Sequence, residues 1–171
     1  MGDLLTPKPV RESRVETTEI VLPGHTNQLG NIFGGQLMSW IDITAAISAS
    51  RHARAVCVTA SIDALHFVAP VRLGHHVRLL ASVNYTGTTS MEVGVRLDSE
   101  NPATGERMHV ATSYLTFVAI DEHMQPKRIA PVIPETPDEK RRYEHAKARR
   151  AARLALKKQL APASKRPAAE P

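Results

Sequence analysis

The 171-residue sequence predicts an α+β fold in which an antiparallel five-stranded sheet wraps around one long central helix, followed by a basic C-terminal helical tail. Two observations predict this architecture. Residues 36–50 are almost wholly apolar and hold no proline or glycine, which is typical of a helix buried on most sides. One alternating stretch precedes this helix and four β-rich stretches follow it, with short connections that favour antiparallel pairing around the helix.

The composition indicates one domain with tails, because 42% of the residues are hydrophobic and can form a core. The formal net charge of +5 is unevenly distributed. Residues 138–171 hold eleven Lys or Arg against four Asp or Glu, a net charge of +7, whereas residues 1–137 hold eleven against thirteen, a net charge of −2. The basic character therefore belongs to the tail.

The first element is a strand. Residues 1–12 are predicted to be disordered, and RVETTEIVL then alternates polar and apolar residues up to Pro23. The opening residues are polar and broken by proline, unlike a signal peptide, so we expect a cytoplasmic location.

The central helix follows a polar loop that contains Gly30, Gly34 and Gly35. Glycines there let the backbone turn and leave amide groups uncovered. At roughly fifteen residues the helix is shorter than the about 20 residues that span a bilayer, so protein must cover its apolar surface and no transmembrane segment is expected. The helix carries a single carboxylate, Asp42.

Four stretches rich in Val, Ile, Thr and Tyr follow the helix: AVCVTASIDALHFVAPV, HHVRLLASVNYTG, SMEVGVRLDSE and MHVATSYLTFVAID. The single cysteine, Cys57, lies in the first of them, which indicates a buried, inert thiol rather than a nucleophile. The turn-forming residues between the stretches are Pro70, Gly74, Gly87, Asn101, Pro102 and Gly105.

The C-terminal part differs in character from the predicted domain, which covers residues 13–127. Residues 128–171 form a proline-rich spacer, a basic helix that begins near Asp138 and Glu139, and a disordered tail. Because the apolar positions of this helix are mostly alanine, we expect it to bury little and to be peripheral to activity. It is either a solvated helix or a contact for nucleic acid, anionic lipid or ligand phosphates. A stacking pattern of aromatic residues is lacking, so no nucleic-acid partner is expected.

Asp42 allows two interpretations. Uncovered amides at the helix start favour an anion, and Asp42 could act as a base on the group bound there. Asp42 lies eight residues after Gly34, about 12 Å along the axis, which is too far for one carbonyl group to contact both, so the two parts would come from two subunits. Alternatively, Asp42 is a structural carboxylate that accepts a hydrogen bond from Thr44, Ser39 or a backbone amide.

Other catalytic patterns receive little support. His25 in the loop is either a base or, more simply, a solvated side chain. His75 and His76 lack neighbours at metal-ligand spacing, so no metal site is expected. No G-x-S-x-G, H-E-x-x-H or phosphate-loop pattern occurs in the sequence.

Three segments, GHTNQLGNIFGGQLMSWIDITAA, HFVAPVRLG and YLTFVAID, resemble the hotdog-fold acyl-CoA thioesterases, most closely the short bacterial acyl-CoA hydrolases. The resemblance covers about residues 14–125 and leaves out the tail. It implies the hotdog fold, dimers that assemble into hexamers or tetramers, and hydrolysis of acyl-CoA to a free fatty acid and CoA. Coenzyme A is then part of the substrate, and no cofactor is implied.

The resemblance also implies catalytic residues. The family's helix acid falls on Asp42, as a general base on water or as a nucleophile, and its loop amide side chain falls on Asn27. Its polarising backbone amide falls on Gly34 or Gly35. A threonine that assists in some relatives, one turn beyond the acid, is replaced here by Ala46.

Substrate binding and rival functions complete the predictions. Gly87, Thr88 and Ser90 match a turn near CoA in relatives, although a surface hairpin turn explains them equally well. A non-catalytic acyl-CoA sensor would keep the sheet and pocket without needing the acid and amide pair. A hydratase or dehydratase would need a histidine placed with the acid, for which His25 is the only nearby residue.

Overall fold

The computed structural model describes residues 5–160. In chain order these form β1 (Lys8–Pro9), a 3-10 turn (Val10–Ser13), β2 (Val15–Ile20), a second 3-10 turn (Pro23–His25), α1 (Gly34–Ala53), β3 (Val56–Ile62), β4 (His76–Thr86), β5 (Ser90–Glu100), β6 (Arg107–Ile120), β7 (Val132–Ile133) and α2 (Pro137–Leu160). Within this range β2, β4, β5, β6 and β3 pair in that order in an antiparallel sheet. The predicted five-stranded sheet, central helix and C-terminal helix are therefore confirmed.

The central helix packs on one face of the sheet because each element presents a continuous apolar face at its own period. Buried residues recur along α1 every three or four positions, as at Leu37, Ile41 and Ala45. Alternate residues of β5, from Met91 to Leu97, are at most 1% exposed. Because burial of a large aliphatic side chain contributes about 1.5–3 kcal/mol, this interface is a main source of stability.

The helix is longer than predicted and is not covered all round. It begins at Gly34 rather than residue 36 and ends at Ala53, where Arg54 takes a left-handed φ of 51° as its C-cap. Met38, Ile43 and Ile47 are 42%, 55% and 38% exposed. The prediction of burial on most sides is thus wrong for a single chain, because the sheet curls over only one face of α1.

Strand β3 lies at the edge of the sheet and is also largely uncovered. Its residues Val56, Val58 and Ile62 are 66%, 39% and 37% exposed. Only β6 pairs with it among the described residues, so one row of backbone amides and carbonyls faces outward. An apolar, unprotected edge strand is a ready surface for pairing with another chain.

The segments on either side of the domain meet in a small clasp. The sequence predicts disorder up to residue 12, whereas in the structure β1 pairs in parallel with β7 and Val10 is 2% exposed. Lys8 Nζ donates to the carbonyl of His52 at 2.8 Å, and His52 Nε2 lies 2.9 Å from the Ala130 carbonyl. The clasp therefore joins both segments to the end of α1.

The C-terminal helix begins with a capping box. Thr136 Oγ1 accepts the Glu139 amide at 3.2 Å, and Glu139 accepts the Thr136 amide at 3.0 Å. Arg14 also donates to Glu139 at 2.6 Å. Burial acts to raise the pKa of Glu139, but the amide and guanidinium donors outweigh it and hold that pKa below its usual value. Among the described helices, none is long and apolar enough to cross a membrane.

Candidate active site

The start of α1 presents two backbone amides. Phe33 is the N-cap residue and supplies no side-chain cap, and the first turn holds no acidic residue. Among the described residues the amides of Gly34 and Gly35 have no acceptor. These amides and the positive end of the helix dipole favour a negatively charged oxygen at this position.

Aromatic rings lie close to both glycine positions. A Cβ atom at Gly35 would collide with the ring of Phe33, whereas a Cβ atom at Gly34 would make an ordinary van der Waals contact, 3.4 Å from Cε2 of Phe67. A side chain at Gly35 would therefore displace the Phe33 ring. The constraint at Gly35 is steric, because neither glycine has a positive φ.

Asn27 shapes the loop that leads into α1. Its Oδ1 accepts the amides of Leu29 at 2.9 Å and Asn31 at 3.3 Å, so the side chain holds a tight turn. The residue is exposed, and its Nδ2 group has no partner within residues 5–160. Asn27 can therefore offer its amide donor to a molecule outside the chain while its oxygen keeps the loop in shape.

Asp42 is half-buried and lies on the uncovered side of α1. Its Oδ1 accepts a hydrogen bond from Thr59 Oγ1 of β3 at 2.7 Å, and no described residue binds Oδ2. The carboxylate opens into a shallow groove that is also lined by Ile43, Ala46 and Ile47. One oxygen is therefore held in place beside an open groove that is apolar along Ile43 and Ile47 and is bordered by Arg51 and Arg54.

The prediction that Thr44 binds Asp42 is wrong, because the hydroxyl that binds Asp42 belongs to Thr59. Thr44 Oγ1 instead donates to the Trp40 carbonyl at 2.8 Å and lies 3.1 Å from Thr17 Oγ1. Thr59 was not singled out in the sequence, because a threonine in a β-strand is ordinary and its distance of 17 residues from Asp42 gives no local signal.

The predicted site residues do not converge within one chain. Asn27, Gly34 and Gly35 lie at the start of α1, and none of them lines the groove of Asp42. The helix places Asp42 about 12 Å farther along the axis at the usual rise per residue. A single reacting carbonyl group thus cannot contact both parts of one chain.

The 87–90 turn joins β4 and β5. Gly87 donates its amide to the Ser90 carbonyl at 2.7 Å, which closes the hairpin, and the Thr88 carbonyl accepts the Ile129 amide at 3.1 Å. Ser90 lines a groove of about 690 Å³ whose opposite wall is α2, including Arg150. The hairpin interpretation is therefore confirmed as local geometry, and a ligand at this turn stays a prediction.

His25 and Cys57 have structural roles. His25 stacks edge-on against Trp40 at 5.2 Å, and its Nδ1 accepts the Leu22 amide at 3.2 Å, so it fixes the loop rather than facing solvent alone. Cys57 is half-buried, and burial raises its pKa to about 11. Its thiol stays protonated at neutral pH, as expected for an inert cysteine.

Similarity to known proteins agrees with this geometry. A family model described as "Thioesterase superfamily" matches residues 29–106. The uncharacterized acyl-CoA thioester hydrolase YkhA of Bacillus subtilis (strain 168) is 46% identical over 129 residues, which are 75% of each chain. Acyl-coenzyme A thioesterase 11 of Mus musculus is 39% identical over 147 residues, and the chain spans 25% of its length. The cytosolic acyl coenzyme A thioester hydrolase of Rattus norvegicus is 31% identical over 150 residues, with 39% of it covered.

Solved structures are similar throughout the domain. An apo-hexameric acyl-CoA thioesterase has a TM-score of 0.86 and 46% identity, with 88% of this chain and 97% of that one covered. An acyl-CoA hydrolase of Staphylococcus aureus, bound to butyryl-CoA, CoA and CoA disulfide, has a TM-score of 0.81 and 40% identity, with 89% and 94% covered.

Single alanine variants of that Staphylococcus aureus enzyme have also been solved, at one asparagine, one aspartate and one threonine. The aspartate follows the asparagine by fifteen positions and precedes the threonine by seventeen. Asn27, Asp42 and Thr59 have the same order and the same two separations. The chain therefore belongs to the thioesterase superfamily and has its hotdog fold.

Proposed function

We propose that this protein hydrolyses the thioester of acyl-CoA to a free fatty acid and CoA. One observation carries the proposal: Thr59 holds the Asp42 carboxylate at 2.7 Å on the open side of α1, and no residue within 5–160 binds the second oxygen. A positioned carboxylate in a partly apolar groove is suited to general-base or nucleophilic work on an acyl group. The thioesterase relatives support this assignment.

The reaction needs a base and an oxyanion site. As general base, Asp42 takes a proton from a water that attacks the thioester carbon, and the carbonyl oxygen becomes an oxyanion. As nucleophile, Asp42 attacks the carbon itself and forms an anhydride that water then hydrolyses. In both routes CoA leaves as a thiolate and takes up a proton, and the proposed chemistry uses no metal or cofactor.

Asn27 and the amides of Gly34 and Gly35 complete the proposed site. The Asn27 amide orients the water or the substrate, because its oxygen is already engaged in the loop. The two glycine amides stabilise the oxyanion, since they point out of an uncapped helix start. Removal of one donor of this kind typically lowers kcat by about 100- to 1000-fold.

We propose that each site is shared between two subunits. The separation of about 12 Å along α1 supports this arrangement, because the amides of one chain can then face Asp42 of its twofold mate. The exposed Met38 and Ile43 on α1 and the open edge of β3 supply the apolar surface for such a dimer. Hexameric relatives support further assembly into a hexamer, with a tetramer as the other possibility.

The CoA part of the substrate is proposed to contact the turn formed by Gly87, Thr88 and Ser90. Support comes from the groove beside Ser90, which is large enough for part of a cofactor-sized molecule. A cytoplasmic location is proposed as well, supported by the relative named as a cytosolic hydrolase.

Steady-state release of CoA thiol across a panel of acyl-CoA chain lengths tests the proposed activity. The Asp42→Asn variant is expected to keep its fold and assembly and to lose at least about two orders of magnitude in kcat/KM. Asp138→Asn is the matched control, because that carboxylate is exposed at the start of α2 and away from the groove. Its kcat/KM is expected to remain normal.

Two results would contradict the proposal. Near-normal turnover by Asp42→Asn would return Asp42 to a structural role. Tight binding of acyl-CoA by the wild-type protein without any thiol release would instead favour the non-catalytic sensor, whose sheet and pocket would look the same.

A further inference from the structure

A crossing segment, residues 59–68, contacts both halves of the proposed machinery. At its start Thr59 donates to Asp42, and near its end the Phe67 ring lies against the Gly34 position. After β3 ends, its backbone is held by two hydrogen bonds, from the Asp63 amide to Tyr114 at 3.0 Å and from the Val68 amide to Val110 at 2.9 Å. Four residues between those two bonds have no regular structure.

The C-terminal helix supplies a side-chain anchor for this segment. Arg153 Nη1 donates to Asp63 Oδ2 at 2.6 Å, and its Nη2 donates to Glu92 Oε2 at 3.0 Å. Glu92 is 2% exposed and projects from β5 on the face of the sheet opposite α1. One guanidinium thus joins a buried carboxylate of the rigid sheet to the middle of the crossing segment.

A neighbouring arginine makes the same sheet contact without the segment contact. Arg149 donates to Glu92 Oε1 at 2.6 Å and stacks on the Tyr114 ring at 3.5 Å, but it makes no hydrogen bond or ion pair with residues 59–68. Both arginines dock α2 on the sheet. Only Arg153 also contacts the crossing segment. A comparison of the two arginines can therefore distinguish an effect of docking α2 on the sheet from an effect of positioning the segment.

We propose that Arg153 is a positioning residue for thioester hydrolysis, acting through Asp63 on the segment that carries Thr59 and Phe67. The inference rests on the proposed function. Loss of the Arg153 contact leaves Asp63 held by its backbone hydrogen bond to Tyr114 alone, so the segment is less firmly anchored and the Thr59 hydroxyl and the Phe67 ring shift relative to Asp42 and Gly34. Small displacements of groups that align a reacting carbonyl slow the chemical step rather than substrate binding.

The test compares Arg153→Gln with its matched control, Arg149→Gln. Arg153→Gln is expected to lower kcat about five- to thirtyfold, as for a site misaligned by less than an ångström. KM is read separately, because Arg153 also lines the groove proposed for CoA. Arg149→Gln should lose comparable stability while kcat changes by less than about twofold. Asp63→Asn should reproduce the kcat loss, and the Asp63→Asn/Arg153→Gln pair should lose no more than either change alone.

Two further readouts separate positioning from general damage. In a Thr59→Ala background, which already lacks the hydrogen bond to Asp42, Arg153→Gln should lower kcat by less than in the wild type. Hydrogen exchange of amides 63–67 should accelerate in Arg153→Gln and not in Arg149→Gln.

Equal kcat losses in the two arginine variants, or full additivity with Thr59→Ala, would overturn the positioning role while leaving the hydrolase function intact. An inactive wild-type protein would overturn the proposed function, and with it the role of Arg153. The variants therefore test the positioning role, and the wild-type protein tests the proposed hydrolase function.

Discussion

The sheet has two faces, one that carries α1 and one that carries α2, and they differ in how much of their apolar and charged surface is covered or paired within a single chain. On the face of α1 and β3, three apolar residues of the helix are at least 38% exposed, and one side of strand β3 is unpaired within the described part of the chain. On the face of α2, a buried glutamate is neutralised by two arginines, and Thr136 and Glu139 cap the helix start. The first face leaves apolar surface uncovered, whereas the second pairs its buried carboxylates with arginines of the same chain.

We call the face of α1 and β3 the open face and the face of α2 the closed face, and the difference in coverage fits a subunit contact on the first and a supporting role within the chain for the second. The open face carries Asp42 and lacks a nearby oxyanion site, which is what a site shared between copies requires. The closed face lies where β5 can hold α2 against the crossing segment. The expectation that α2 buries little is wrong, because Glu139 and Ala146 are 2% and 0% exposed and two arginines of α2 bind the buried Glu92.

The largest expected effect comes from a direct test of the proposal that two subunits share each active site. Asn27→Ala and Asp42→Asn oligomers should each be nearly inactive, and refolding them together should restore activity toward about one quarter of wild type. The reason is that half of the dimers are mixed and one of the two sites in each mixed dimer is intact. CoA release measures the recovery.

Each variant refolded alone serves as the control and should stay inactive. If native mass spectrometry shows mixed dimers and no activity returns, Asn27 and Asp42 must act within one chain. The exposed surface of α1 and β3 would then no longer support a site shared between subunits.

The next largest effect is the contribution of the Glu92 ion pairs on the closed face to the free energy of unfolding. Glu92→Gln should lower the free energy of unfolding by about 3 kcal/mol, because it leaves the Arg149 and Arg153 charges at a largely buried site with less compensation. The control Glu144→Gln removes an exposed ion pair with Lys147 and should change stability by less than about 1 kcal/mol. Urea unfolding at one fixed protein concentration compares them, and equal losses would mean that α2 is only loosely docked.

A smaller effect concerns pH and the clasp at the end of α1. Burial lowers the pKa of His52, with the nearby Lys8 charge acting in the same direction, while its hydrogen bond with Ala130 opposes the change. Below about pH 6.5 the unfolded imidazole binds a proton that the folded one does not, so stability falls as the pH drops through this window. His52→Gln should remove this part of the slope between pH 7.5 and 5.5.

His123→Gln provides the comparison, because His123 has a 78% exposed side chain. Its unfolding free energy should follow the wild-type pH slope. A His52→Gln protein with an unchanged slope would mean that another group controls this pH range.

The smallest effect is expected at Cys57 on the open edge strand. Because burial raises its pKa to about 11, alkylation by iodoacetamide at pH 8 should be on the order of 100-fold slower than for a free cysteine. Cys57→Ser should keep kcat/KM within about twofold. Rapid labelling with loss of activity would show that the thiol belongs to the site.

Local patterns predicted most of the fold. The apolar run of α1 and the turn residues between β4, β5 and β6 lie within short windows, so composition alone indicates them. The predicted helix start is two residues late because glycine is a poor helix former, whereas here the Phe33 ring leaves no room for a side chain at Gly35. The β1–β7 pair escaped prediction because it joins two-residue strands far apart in the chain.

The missed site features share one cause. Thr59 meets Asp42, and Arg153 meets Asp63, across 17 and 90 residues, and neither pair leaves a trace in local periodicity. Arg149 and Arg153 also look like the solvated face of a basic helix until the buried Glu92 is placed beneath them. Composition and spacing point to Asp42 and the glycines, and the resemblance adds Asn27, but the contacts that support these residues depend on the tertiary structure.

The uncovered face of α1 has a consequence for how the protein behaves as a population. If two chains must meet to form one working site, turnover per chain depends on total protein concentration and falls on dilution below the dimer dissociation constant. At such concentrations the rate would grow with the square of the amount of protein. On the proposed shared site, the exposed Ile43 and Ile47 surface thus links the activity of each chain to the concentration of the protein itself.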